Sequence, residues 1–372
     1  MPPVRIAVVD LLAQDGGGLA ITKSLFEYAA AGNAPQHEWL FIVAGQDLEE
    51  TEYVKVIRFK KAVKGYFQRA KTELIDVNRA LRQNGIDCVV CMSHIRIMGC
   101  TLPQFVYLHQ ALPFQKVKNF SFLKKNERKY AFRQHIHGSI IKKSIAKAKA
   151  VFVQTEWMKN AVSESVRNVQ VVKIGYPAGE GGFGPESPLV LSKDFFYPCR
   201  PAFYKNIPVL IKAVAALRNC GYSFRFYITL TEDELKTLGE ARSVDRDAFV
   251  CLGRCPPESV RKIYRKTALV FPSYVESLGL PLLEAREAGT WIIASDSPFS
   301  HEILDDYPNR DYFGPFDAGQ LTEKMKNVLD GKIKLKRPQP SSQNRDACWE
   351  RMVECIQYSV CAAFGGRERP DD

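Results

Sequence analysis

Two carboxylates, a histidine and a run of glycines each fall where a strand-like run gives way to a loop or a helix. The carboxylates lie in Phe271-Pro272-Ser273-Tyr274-Val275-Glu276-Ser277-Leu278-Gly279-Leu280-Pro281-Leu282-Leu283-Glu284-Ala285. The apolar run ends at Phe271. Pro281, tolerated in a first helical turn, predicts a helix start, and Gly289 predicts its stop. Backbone amides near Gly279 and Leu280 at such a start suit a diphosphate, with the helix dipole adding its field. Glu276 and Glu284, at the two ends of this element, can accept hydrogen bonds from hydroxyls, a sugar's at Glu276 and a ribose's at Glu284. The plainer reading is a helix with acidic residues favourably placed near its N-terminus.

His109 ends the run Phe105-Val106-Tyr107-Leu108, the carboxyl end of a strand, where an open α/β sheet puts its ligand-facing residues. A histidine satisfied by neighbouring backbone is the simpler alternative. Gly16-Gly17-Gly18 follows a strand and precedes a helix. Glycines there let the backbone come close to a phosphate or a sugar, though a tight turn needs them as well. His135 and His137 sit in a basic helix and have only structural readings.

Positioning such residues requires two α/β layers. Apolar runs at 5–10, 38–43, 88–92, 104–109, 150–154 and 171–174 alternate with helical patterns at about 19–30, 63–84, 124–149 and 156–166. A second block repeats the alternation, with strand-like runs at 194–197, 224–228, 249–252, 269–271 and 291–294. Continuous apolar strands between amphipathic helices predict parallel sheets covered on both faces. The Gly- and Pro-rich stretch 177–185 is the linker candidate. The expected organisation is therefore one Rossmann-like domain over 1–176 and a second over 177–344. A helix within about 345–372 is expected to return to the first domain, the two doubly wound domains facing a central cleft.

The chain resembles retaining glycosyltransferases of family 4, which have the GT-B fold, most specifically from Tyr197 to Asp317. Glu276 to Glu284 looks like that family's E-x7-E element. Phe196-Tyr197-Pro198-Cys199-Arg200-Pro201-Ala202-Phe203-Tyr204-Lys205-Asn206 looks like the start of its second domain. The resemblance implies that Arg200 and Lys205 clamp a donor diphosphate, a role suited to a bidentate guanidinium and a point-charge ammonium. It also implies that His109 contacts the transferred sugar, that Gly16, Gly17 and Gly18 approach donor or acceptor, and that neither metal nor cofactor is needed. The segments 294–302, 312–317 and 151–157 resemble the same family. Ser277-Leu278 and Trp291 depart from its common residues, which bears on the donor sugar more than on the fold.

Charge is unevenly spread. The chain carries a net +11, yet residues 55–150 hold 21 Lys/Arg against 4 Asp/Glu, so the remainder is net acidic. A basic half predicts an anionic partner. Between residues 115 and 149, lysines and arginines interleave with Phe120, Phe122, Leu123, Tyr130 and Phe132. Such a stretch can rest on an anionic membrane face and guide a lipid-diphosphate-linked acceptor, or simply be a solvated basic helix.

The expected activity is thus transfer from a UDP- or GDP-sugar to a glycan or undecaprenyl-diphosphate-linked acceptor in surface polysaccharide synthesis (O-antigen or capsule). The expected place is the cytoplasm or the inner face of the cytoplasmic membrane. The N-terminus reads as a strand, not a signal peptide. Rivals are a GT-B sugar-nucleotide epimerase, a phosphorylase, for which no pyridoxal-type lysine stands out, and a nucleic-acid-binding protein, for which no aromatic platform or helix-turn-helix is present. Zinc is disfavoured: Cys88 and Cys91 fall three apart on a strand-like run, which points them to opposite faces. Asp245-Arg246-Asp247 mimics a metal-binding D-x-D but reads as a surface turn.

Overall fold

The computed structural model describes residues 3–14, 16–59, 65–176, 191–239, 247–336 and 346–364. The linker candidate 177–185, Asp245 with Arg246, and the Pro-rich segment 337–340 lie outside the described residues. The chain forms two compact units: Met1–Gln115 with Asn119–Ala178 and Gln343–Asp372, and Gly179–Ser342 with Lys116–Lys118.

The first unit runs β1 (Arg5–Asp10), α1 (Gly16–Ala30), β2 (Glu38–Ala44), β3 (Val54–Phe59) and α2 (Tyr66–Thr72). A π-helical turn, Glu73–Val77, joins α2 to α3 (Asn78–Gln83), followed by β4 (Cys88–Cys91) and β5 (Gln104–Tyr107). Next come α4 (Arg128–Ala131), a second π-helical turn (Phe132–His137), α5 (Gly138–Ile145), β6 (Ala150–Val153), α6 (Glu156–Ser165) and β7 (Gln170–Lys173). The seven strands form one parallel sheet in the order β3-β2-β1-β4-β5-β6-β7. Ile6, Ala7, Val8 and Val9 of β1 are all buried, as a central parallel strand covered on both faces requires.

The second unit runs β8 (Phe195–Tyr197), a 3-10 turn (Phe203–Lys205), α7 (Ile207–Asn219), β9 (Phe226–Ile228), α8 (Glu232–Gly239), β10 (Phe249–Cys251) and α9 (Pro257–Tyr264). It continues through β11 (Ala268–Phe271), α10 (Leu280–Glu287), β12 (Ile292–Ser295), α11 (Pro298–Leu304), β13 (Arg310–Phe313) and α12 (Ala318–Leu329). Its parallel sheet has the order β10-β9-β8-β11-β12-β13. Both units are therefore Rossmann-like, as the alternating pattern predicts. In both, the order reverses beside the first strand, between β1 and β4 and between β8 and β11. Ligands of such sheets bind outside the carboxyl ends at that reversal.

The last helix, α13 (Ala347–Phe364), packs on the first unit's sheet. Trp349, Met352, Val353, Ile356 and Val360 are buried at helical spacing beside Ile21, Leu25 and Tyr28 of α1. The Trp349 indole Nε1 donates to Ser24 Oγ at 3.2 Å, and its ring lies 6.0 Å from that of Tyr107.

Two strands escape the sequence pattern: β3 and β13, each at the edge of its sheet. An edge strand keeps polar side chains among its apolar ones, so Val54-Lys55-Val56-Ile57-Arg58-Phe59 shows no continuous apolar run. The helix expected over 124–149 is shorter, covering 128–145 and widened in the middle by the π turn. Among the described residues no helix is long and apolar enough to cross a membrane.

Candidate functional site

In the second unit, the loops after β8 and β11 converge. Lys205 Nζ lies 2.5 Å from Glu276 Oε1, and Ser273 Oγ donates to the same oxygen at 2.7 Å. The backbone supports this placement. Tyr274 N donates to the Tyr204 carbonyl at 3.1 Å, and the Tyr197 hydroxyl donates to the Lys205 carbonyl at 3.2 Å. Asn206 adopts a left-handed conformation (φ 59°, ψ 38°) at the start of α7, one that asparagine tolerates better than most side chains. Its Nδ2 donates to the carbonyls of Pro272, at 3.1 Å, and Pro315, at 2.5 Å. One side chain thus ties together the loops after β8, β11 and β13.

Lys205 and Glu276 are largely buried, at 12% and 17% side-chain exposure. Burial alone would lower the lysine pKa, but the Glu276 carboxylate, followed by the Tyr204 hydroxyl, raises it above the usual lysine value. The ammonium also sits 5.7 Å from the Phe271 ring centre and 5.8 Å from that of Tyr204, within cation–π range. Lys205 is therefore a fixed cation. Arg200 is exposed on the loop after β8, five residues earlier.

Gly279 takes φ 92° and ψ 58° as the N-cap of α10, and Leu280 is the first helical residue. Only glycine enters that region without cost, which explains its place between Leu278 and Leu280. Leu282 N donates to the Gly279 carbonyl at 2.8 Å, closing the first turn. Glu284 faces α9, where the Tyr264 hydroxyl donates to its Oε2 at 3.0 Å. Burial raises the Glu284 pKa against the effect of that bond. The carboxylate assigned to a ribose thus already has a buried phenol as partner, which the sequence did not indicate.

In the first unit the corresponding position holds rings and a buried aspartate. Asp10, closing β1, accepts from the amides of Leu12 and Ala13 at 3.3 and 3.1 Å through Oδ1, and from Thr22 Oγ1 at 2.6 Å through Oδ2. It fixes the turn that leads into the glycines. Gly16 (φ 68°) opens α1, and Gly16 and Gly17 are exposed. At Gly18 a Cβ would lie 3.3 Å from His109 Nε2, so a glycine lets α1 pass close to that ring. His109 is half-buried, and burial lowers its pKa to about 4 despite the attraction of Asp10. It is a neutral imidazole at physiological pH.

His94, in the loop after β4, meets His109 edge-on with ring centres 4.2 Å apart. Its backbone is left-handed (φ 66°). Burial, then the charges of His109, Arg69 and His137, hold its pKa well below the usual value. Sequence reading missed it, although the rule that selected His109, a histidine just beyond a strand, applies equally. Asp10 carried a comparable signal at the end of β1. Ser273 stood in the selected segment without a role. The structure thus joins Lys205 to Glu276 and Gly18 to His109, each pair within its own unit.

Residues 192–345 match the family model described as glycosyl transferases group 1. No curated protein is similar enough to the chain to count as a match. The chain is similar in fold to sucrose-phosphate synthase from Thermosynechococcus elongatus (16% identity, TM-score 0.64, 97% of this chain and 95% of that one). It is also similar to the lipopolysaccharide outer core galactosyltransferase WaaB (15%, TM-score 0.59, 97% and 100%). A third similar structure is a putative UDP-N-acetylglucosamine 2-epimerase from Listeria monocytogenes (10%, TM-score 0.54, 99% of each chain). These likenesses establish the GT-B type of two-unit fold.

Proposed function

We propose that the chain is a family 4 glycosyltransferase that takes a sugar from a UDP- or GDP-sugar and transfers it with retention of configuration, without a metal. The observation that carries this reading is the Lys205–Glu276–Ser273 cluster, which straddles the order reversal of the second sheet. The group 1 match over 192–345 supports it by covering the same loops.

In this mechanism Lys205, Arg200 and the amides at Gly279 and Leu280 bind the donor diphosphate and balance the charge that grows on it as the glycosidic bond breaks. An ammonium has three donors, so Lys205 can hold a phosphate oxygen while keeping Glu276. Among the described residues both contacts of Glu276 fall on Oε1, so Oε2 remains to orient a sugar hydroxyl. His109, neutral, is assigned a hydrogen bond to the transferred sugar. Gly16, Gly17 and Gly18 leave room for backbone approach to donor or acceptor, and Glu284 takes a ribose hydroxyl alongside Tyr264. The acceptor hydroxyl attacks from the diphosphate side, and its proton passes to the departing phosphate. Exclusion of water around the donor limits hydrolysis. The acceptor in this reading is a growing surface glycan on an undecaprenyl-diphosphate carrier, met at the inner face of the cytoplasmic membrane.

Thermal shift against UDP, GDP and their sugars tests the donor assignment. Bound nucleotide at about 100 times Kd stabilises by about 2.7 kcal/mol. Arg200→Ala and Lys205→Ala are expected to abolish that shift. Because Lys205→Ala leaves Glu276 unpaired, Lys205→Ala/Glu276→Gln serves as the stability control. A shift unchanged in all of these variants would overturn the diphosphate site. The epimerase alternative draws on the fold likeness to the Listeria protein. It predicts an epimerised nucleotide sugar with no acceptor present, which NMR of the product would detect.

A further inference from the structure

The helices after β5 carry a surface that the donor site does not use. α4, its π turn and α5 bury Tyr130, Ala131, Gln134, Ile141 and Ile145 on one side. On the other side Phe132, Ile136 and Ile140, four residues apart, are all exposed, Ile136 to 47%. Lys129, Arg133, Lys143 and Lys147 are exposed with them. No aspartate or glutamate occurs between Arg128 and Lys149.

The surface extends beyond this helix. Arg128 Nε donates to the Phe122 carbonyl at 3.0 Å, and the Phe122 ring centre lies 5.9 Å from that of His135. These contacts hold the tip Phe122-Leu123 beside the π turn, with Leu123 90% exposed. The loop after β4 ties α5 to the other helix. Arg96 N donates to Ser144 Oγ at 2.9 Å, and Met98 N to Glu73 Oε2 at 3.0 Å. On that second helix Phe67 is 87% exposed, and Leu74 and Lys71 are exposed with it. Phe120 and Tyr130, grouped with this surface on sequence, are buried instead.

A helix face that serves solubility alone has no need of an apolar residue at every turn. Along 128–149, apolar side chains interleaved with lysines and with no carboxylate among them complement a layer that is anionic at its rim and apolar beneath.

We propose that Phe132, Ile136, Ile140 and the Phe122-Leu123 tip, joined by Phe67 and Leu74, form an in-plane insertion surface for a bilayer containing anionic phospholipid. The apolar side chains enter below the headgroups while Lys129, Arg133 and Lys143 pair with phosphates. The proposal rests on the lipid-surface part of the proposed function and names the side chains that enter the membrane.

Co-sedimentation of the full chain with vesicles tests it, using phosphatidylcholine alone and phosphatidylcholine mixed with phosphatidylglycerol. The chain is expected to bind the mixed vesicles and to remain partly bound at about 1 M salt, where exposed charge pairs are screened. Ile136→Ser/Ile140→Ser should weaken binding about tenfold or more at both low and high salt. Lys129→Gln/Lys143→Gln should weaken it about tenfold or more at low salt only. Absence of binding to mixed vesicles would overturn the proposal. So would binding that the serine pair leaves unchanged, or a dimer in solution that the serine pair dissolves, which would assign the face to a second copy. The UDP thermal shift, measured on the same variants, should be unaffected. If wild type lacks that shift yet binds vesicles, the donor reading fails and the insertion surface stands.

Discussion

The two units reverse strand order at equivalent places, yet they furnish those places with opposite chemistry. Beside β8 and β11 stands a buried ion pair, Lys205 and Glu276, reinforced by Ser273. Beside β1, β4 and β5 stand two imidazoles, His94 and His109, with Asp10 engaged by backbone amides and Thr22. One end is built around fixed charge and the other around neutral rings and open backbone. Topology therefore fixes where a ligand meets each sheet, and the residues beyond the strand ends decide what it meets. In the proposed reaction Lys205 takes the diphosphate and Glu276 a sugar hydroxyl, while His109 serves the sugar as an uncharged hydrogen-bonding group.

The largest effect expected from this contrast is on Glu276. Glu276→Gln keeps the shape and removes the charge, and should reduce transfer on the order of 1,000-fold. It also leaves the buried Lys205 ammonium unpaired, so the melting temperature should fall, and Lys205→Ala/Glu276→Gln serves as the stability control. His109→Asn, at the neutral end, should cost about 100-fold. Equal losses in steady-state assays of the two variants would erase the proposed division of labour.

Next in size is Trp349→Ala. The side chain is fully buried in the first unit's core, so its loss should destabilise that unit by about 3–5 kcal/mol. Calorimetry should show the loss in the unit containing α13, with nucleotide binding at Lys205 retained at low temperature.

A smaller effect concerns pH. His109 titrates near 4 in the folded chain, and His94 also lies well below the usual value. Between about pH 6.5 and 4 the unfolded chain takes up these protons first. Stability should therefore be full above 6.5 and fall as pH drops through that window. For His109 the loss is on the order of 1–2 kcal/mol, allowing for solvent screening of a half-buried ring. Denaturant titrations at several pH values should show a shallower fall in His109→Asn. A fall as steep as wild type would mean that His109 is not the titrating ring.

The smallest change is Gly18→Ala. A methyl 3.3 Å from His109 Nε2 asks the ring to move a few tenths of an ångström. We expect a cost within about 1 kcal/mol in stability and a several-fold loss of turnover, with the nucleotide shift intact. Turnover at the wild-type level would mean that the position of His109 is not critical.

Consecutive residues carried much of this architecture. The buried runs of β1, β4, β5, β11 and β12 could be read because central parallel strands are apolar throughout, whereas β3 and β13 set charged residues among their apolar ones (Lys55 and Arg58; Arg310 and Asp311) and could not. Gly279 was legible as a helix entry because Pro281 follows it. By itself the sequence determined two alternating α/β blocks and which residues lie just past their strands, since both depend on local periodicity. Tertiary structure alone decided that Lys205 would meet a carboxylate 71 residues away, that His94 would stand against His109, and that Tyr264 would reach Glu284. It also decided that Ile136 and Ile140 would face outward while Phe120 and Tyr130 turned in. Partners drawn from separate loops leave no periodic trace along the chain, because only the packing of the sheets brings them within reach of one another.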